Sequence, residues 1–332
     1  MTRTTRFLAA TIATLAATLA VGCSAGGGSD TPAEGETTTS IKVVYAAIAY
    51  EPLYLAEELG YFDEVGLDVE MTRGGVPQDN IAQAVGGSAD IIVAAWDNIT
   101  TSVSQGMPIR ILGGNSFVSN DFDTSGIVVR ADSRIESLAD LKGKTLAFDS
   151  LGGGGSVEVF TVLADAGVSR DDVSLTAIPY AGQAAALEEG HVDAVFPSEP
   201  FYSQISQIEG NSVISNPVRE TRAGMPITLW AATQQWLDAN EDAADAFLEA
   251  MDKAIAYYED PANLEQVKQI RAEVTQQDVS KVSDALPPMR TGIDAEVGQR
   301  AVDQLVRFDM IEAAFPVEDM LWSGAPRLES GK

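Results

Sequence analysis

From Ile41 to Ile208, short β-branched or apolar runs alternate with segments of helical pattern. That alternation leaves few architectures open. Ile41–Ala46, Leu67–Met71, Ile91–Ala95 and Ile109–Leu112 read as strands. Pro52–Gly60, Asn80–Val85 and Ile99–Ser104 read as the helices between them, the first opened by Pro52 and closed by Gly60. Such alternation predicts a parallel sheet with helices on both faces. A second α/β unit follows, over about 131–225. Ile127–Arg130, Thr145–Phe148, Val173–Ile178 and Val192–Phe196 are its strands or lead into it. Ser137–Lys144, Val157–Leu163, Gln183–Glu189 and Phe201–Ile208 are the helical segments. Ile227–Ala232 reads as a buried strand returning to the first unit. Ala243–Tyr258, Leu264–Val274 and Val297–Phe308 then have helical spacing, although Gly298 weakens the start of the last.

A chain of 332 residues, 45% of them hydrophobic, can bury two such units. Its formal net charge of −28 leaves no basic face to neutralise phosphates, which argues against nucleic-acid binding. The first residues carry a separate signal. Arg3 and Arg6 precede Phe7–Val21, an alanine-rich apolar run shorter than a membrane span. The run ends Leu19-Ala20-Val21-Gly22-Cys23, which resembles a bacterial lipoprotein signal with Cys23 as the lipidated residue. Ala20 stands where that signal usually has Leu. Cys23 is the chain's one cysteine, so no disulfide or cysteine metal cluster is expected. Residues 1–22 read as the signal and 23–40, rich in Gly, Ser and Thr, as a flexible tether.

In open α/β sheets, ligands bind beyond the carboxyl ends of strands. The turn with the most backbone freedom there is Phe148–Ser156, Phe-Asp-Ser-Leu-Gly-Gly-Gly-Gly-Ser. Its glycines allow positive φ and close approach, and Ser156 can cap a following helix with Glu158 in the first turn. Ser150, Gly153, Gly154, Gly155 and Ser156 are therefore candidate ligand contacts through free N–H groups. No Lys follows the last glycine as a P-loop requires, and Val157 stands where the dinucleotide fingerprint needs its third glycine. Other strand-end turns add Tyr50, Gly75, Trp96, Asp97, Tyr180 and Glu199. Each aromatic either packs or stacks on a solute. Asp97 either caps its helix or accepts a hydrogen bond. Glu199 either accepts a solute donor or fixes its loop at the hinge.

Pro52-Leu53-Tyr54-Leu55-Ala56-Glu57-Glu58-Leu59-Gly60-Tyr61-Phe62 and Gly66-Leu67-Asp68-Val69-Glu70 resemble the opening of the nitrate/sulfonate/taurine and thiamine-precursor solute-binding proteins. Leu138–Leu146, Ala186–Ala194 and Glu199-Pro200 resemble the same family, in the same order. The resemblance implies the type 2 periplasmic-binding fold, an α/β architecture of two lobes joined by two crossover strands. Lobe one would be 41–125 with 235–332, and lobe two 131–225. The crossovers would be 126–130 and 226–234. The signal at Cys23 implies a lipid anchor at the outer face of the cell membrane, and a monomer with no cofactor is expected. The protein would close on a small solute and dock on an ABC permease with its ATPase.

The strand-end turns hold several aromatics and carboxylates but few cations. Arg73, Arg219 and Arg222 are the cations that could assist an oxyanion. This balance favours an organic solute with a ring or alkyl body (a sulfonate, an aromatic acid or a pyrimidine) over bare nitrate. Two other functions stand beside transport. One is an enzyme like thiamine-pyrimidine synthase, which consumes its own histidine. His191, the single histidine here, lies at a helix-to-strand turn and suits that role poorly. The other is a ligand sensor for a membrane kinase.

Overall fold

The computed structural model describes residues 38–46, 50–121, 123–149, 155–199, 201–275, 278–282, 284 and 286–328. Cys23, Ser150, Gly153 and Gly154 lie outside them, and the described residues all belong to one compact unit, Thr37–Lys332. Its strands in chain order are β1 (Thr39–Tyr45), β2 (Leu67–Arg73), β3 (Ile91–Ala95), β4 (Ile109–Gly114), β5 (Ile127–Arg130), β6 (Thr145–Phe148), β7 (Ser174–Ala177), β8 (Ala194–Val195), β9 (Asn211–Ser215) and β10 (Thr228–Thr233). They form two five-stranded sheets, in the orders β2-β1-β3-β10-β4 and β7-β6-β8-β5-β9.

The two sheets share one plan. In each, three strands run parallel, and a fourth strand pairs antiparallel between the third and the last. In the first sheet the antiparallel strand is β10. In the second it is β5. Both adjoin the passages between lobes. The sequence explains the central positions. Ile91-Ile92-Val93-Ala94 is buried throughout, as a strand covered on both faces must be. Edge strand β7 has no fully buried residue.

The chain leaves the first sheet after Gly114 and returns at Thr228. The outgoing and returning segments run side by side. Asn115 N–H donates to Thr228 O (3.1 Å), Ile227 N–H to Ser116 O (2.7 Å), Val118 N–H to Met225 O (3.0 Å) and Gly224 N–H to Val118 O (3.0 Å). The stretches read as crossover strands, 126–130 and 226–234, contain β5 and β10. The connecting ribbon lies between those strands and the rest of the chain.

Helix Glu241–Glu259 covers one face of the first sheet. Ala244, Phe247, Leu248, Met251, Ala254, Ile255 and Tyr258 repeat at three- and four-residue spacing and are buried. Phe247 stacks on Phe62 at 5.9 Å and meets Trp230 edge-on at 5.2 Å. Helix Ala295–Arg307 covers the other face. Gly298, which weakens the helical reading, is required there. A Cβ at 298 would lie 2.6 Å from Trp96 Cη2, so the glycine makes room for the indole.

Candidate ligand-binding site

Two helices begin at the carboxyl ends of central strands, one in each lobe. Trp96–Ser104 follows β3 directly, and Ser156–Asp165 follows the glycine turn after β6. The second starts from Gly155, whose φ is +85°. A Cβ at 155 would also approach Phe196 Cε1 to 2.5 Å, so conformation and space both require glycine. Ser156 is therefore the first helical residue, not the cap, and no side chain caps this helix. Each helix carries an acid in its first turn, Asp97 and Glu158. Asp97 makes no capping hydrogen bond either.

Both carboxylates converge on Arg222, from the short helix Pro217–Arg222 of the second lobe. Its Nη1 and Nη2 each donate to one Asp97 oxygen at 2.9 Å, a bidentate pair across the two lobes. Its Nε forms an ion pair with Glu158 Oε1. The side chains of Arg222 and Glu158 are 8% and 5% exposed, while that of Asp97 is 29% exposed. One guanidinium thus serves two carboxylates. Burial pushes the Glu158 carboxyl up, and Arg222 opposes this only in part. Burial also works to lower the Arg222 pKa, but Asp97 and Glu158 outweigh it and hold it above the ordinary arginine value. Glu158 Oε2 is buried and accepts no hydrogen bond.

The lobes also meet beside this triad. Val157 packs into the first lobe's core with Trp96, Met225 and Leu229. Phe160 lies 6.2 Å from Phe308, and Arg307 donates to Asp165 at 3.1 Å. A crevice of about 370 Å³ opens here. Ser156, Phe160 and Arg170 wall it from the second lobe, and Arg307, Phe308 and Met310 from the first. A second depression, of about 390 Å³, lies by Asp238–Ala243 and Thr39, at the amino end of β1 and away from the strand ends that carry ligands in such folds.

The other expected contacts divide. Trp96 is 1% exposed and belongs to the core under the site, which corrects the expectation of a stacking face. Tyr50 is likewise corrected. It packs with Tyr45 and Tyr54 at 6.4 and 5.7 Å in the first lobe's core, and burial pushes its phenol up to about 12. Gly75 is exposed in the turn after β2, and its N–H donates to Asn80 Oδ1 at 3.2 Å. Tyr180 is half-buried at the start of its helix, with its hydroxyl 3.4 Å from Ser198 Oγ. Glu199 is exposed. Its N–H donates to Thr124 O at 2.9 Å and its carboxylate accepts from Ser203 at 2.5 Å.

Two of the three candidate cations are occupied by carboxylates. Arg219 binds Asp123 at 2.5 Å, and Arg222 is held in the triad. Arg73 is exposed at the end of β2. The His191 side chain is 70% exposed beside Glu189, outside the site. Among the described residues, no group of three His, Cys, Asp or Glu could hold a metal ion.

Residues 48–263 match the family described as NMT1/THI5 like, about two thirds of the chain. The chain belongs to this family. Among the relatives, the putative binding protein YtlA of Bacillus subtilis is 28% identical over 68% of this chain and 67% of its own length. The nitrate/nitrite binding protein NrtA of Synechococcus elongatus is 27% identical over 90% of this chain and 74% of its own. The periplasmic aliphatic sulphonate binding protein SsuA of Escherichia coli superposes with a TM-score of 0.72. It shares 19% identity, over 86% of this chain and 98% of its own, and establishes the two-lobed periplasmic-binding fold.

Proposed function

We propose that this NMT1/THI5-like protein is the extracytoplasmic solute-binding component of an ABC importer. It captures a small organic solute between its lobes and presents the closed form to a permease. The observation that carries this reading is the meeting of two helix starts from opposite lobes, where Arg222 of one lobe binds Asp97 of the other. A solute there touches both lobes and stabilises only their closed arrangement. The interlobe crevice reaching Ser156 gives room for a ring or alkyl body. The amide of Gly155 supplies a donor. Tyr180 and Glu199 stand at the same strand ends. Binding proteins for nitrate and sulphonate among the relatives support capture over catalysis, and the exposed His191 offers nothing to a histidine-consuming synthase. Cys23 anchors the protein by lipid to the outer membrane face, and the chain acts as a monomer.

A thermal-shift screen of sulfonates, pyrimidines and aromatic acids tests the reading. At least one solute is expected to raise Tm, as selective binding to the native state requires. Turnover of a substrate without any stabilising solute would overturn it. Cys23→Ser is expected to release the protein from membranes, and retention would count against the anchor.

A further inference from the structure

We infer that the Asp97–Arg222–Glu158 triad sets the specificity of the cleft, and that it selects a solute carrying a protonated nitrogen, such as an amine or amidine, over an oxyanion. The inference rests on the proposed solute capture and narrows its ligand.

Three observations lead there. First, the charges do not balance. One buried guanidinium faces two carboxylates, and one of those is itself almost wholly buried. A buried charge without a partner is costly, so the site favours one more positive group. Second, an acceptor is free. Glu158 Oε2 is shielded from solvent and accepts no hydrogen bond, while Asp97 remains partly exposed. An N–H donor on a solute brought against the triad would satisfy the first and face the second. Third, the usual attraction of helix starts for anions is already spent. Asp97 and Glu158 each sit in the first turn of the helix that would supply it.

Nearby cations do not reverse this. Arg219 is bound by Asp123, and Arg307 by Asp165. The crevice that holds Arg170 and Arg307 also holds Asp309. Nitrate and sulphonate, named for two relatives, are therefore poor fits to these described residues.

Matched probes test the inference on the natively processed protein, purified in detergent. Benzamidinium, benzoate, nitrate and ethanesulfonate are titrated by calorimetry and thermal shift at low salt. Benzamidinium is expected to bind at least about tenfold more tightly than benzoate, and nitrate and ethanesulfonate to leave Tm unmoved. Glu158→Gln is expected to weaken benzamidinium about tenfold or more without lowering the Tm of the unliganded protein. A merely structural Glu158 would lower Tm and leave the preference between probes intact. Should that variant fail to fold, Asp97→Asn is expected to weaken benzamidinium in the same direction. Tighter binding of an anion, or unchanged cation affinity in a folded variant, overturns the inference and leaves solute capture standing. So does a neutral or anionic molecule found bound in native mass spectrometry. No co-purifying molecule, with no binding by any probe or any member of the solute screen, removes the proposed function as well.

Discussion

Glu51 and Glu158 hold corresponding places in the two lobes, and their surroundings differ in one respect. Each lies in the first turn of the helix after the second strand of its sheet order, β1 or β6. Each is nearly inaccessible, and each meets the Nε of an arginine from a later helix. Arg271 lies 2.5 Å from Glu51 Oε1, and Arg222 closes on Glu158 Oε1. In both, Oε2 accepts no hydrogen bond. Glu51 and Arg271 balance in charge and stay within one lobe. Arg222 turns its remaining nitrogens to Asp97 of the other lobe, which leaves a surplus of negative charge. A balanced pair fixes a fold. An unbalanced one, set across a hinge, is poised to accept something else.

The largest effect should come from Arg222→Met, which strands two carboxylates. Stability in urea is expected to fall by about 4 kcal/mol, and a loss under about 2 would mean the site relaxes to water. Arg271→Met strands one, so its cost should be smaller, about 3 kcal/mol. An equal or larger cost would break the comparison. The two helices also begin differently, from Tyr50 at φ −97° and from Gly155 at φ +85°. Gly155→Ala should therefore cost about 2 kcal/mol through strain alone, with added crowding against Phe196. A silent substitution would show that the turn can rebuild itself.

The smallest effect is in pH. A carboxyl whose folded pKa is raised weakens the fold above that pKa and ceases to do so when protonated. Arg222, Asp97 and the Glu158 backbone face this group, and burial outweighs them. As pH falls from neutral through the folded pKa of Glu158, its contribution should turn more favourable. The gain is complete below the unfolded value, where both states are protonated, and it is lost as pH rises through the folded value. Denaturation midpoints of the native chain and Glu158→Gln, compared across pH, should converge on acidification. Parallel curves would assign the effect elsewhere.

Much of the scaffold was legible because burial writes itself as long apolar runs. Ile91–Ala95, Ile127–Arg130 and Thr145–Phe148 are strands over the very residues that the sequence pattern marks. Strand β9, Asn211–Ser215, escaped because it is an edge strand with one fully buried residue. Helix Pro217–Arg222 escaped because six residues are too few to display a period. The site was legible in parts. Asp97, Glu158 and Arg222 were each visible at a turn or a helix start, but nothing in their spacing joins residues 125 apart. Trp96 was misplaced because an indole at a strand end looks the same whether it turns to the groove or to the core. The partner that decides the matter, Gly298, lies two hundred residues away.

All strands of the second sheet lie between Ile127 and Ser215, and the chain reaches and leaves them through one doorway. Asn216 Nδ2 donates to Ser125 O at 3.1 Å, so the two jambs of that doorway are bonded together. The second lobe is thus a cassette. Its borders touch, its strands are contiguous, and the first lobe is rejoined at β10. A module bounded in this way can be exchanged between paralogues by two cuts at neighbouring points. Glu158 would travel with such a module, while Asp97 and Arg222 lie outside its borders and stay behind.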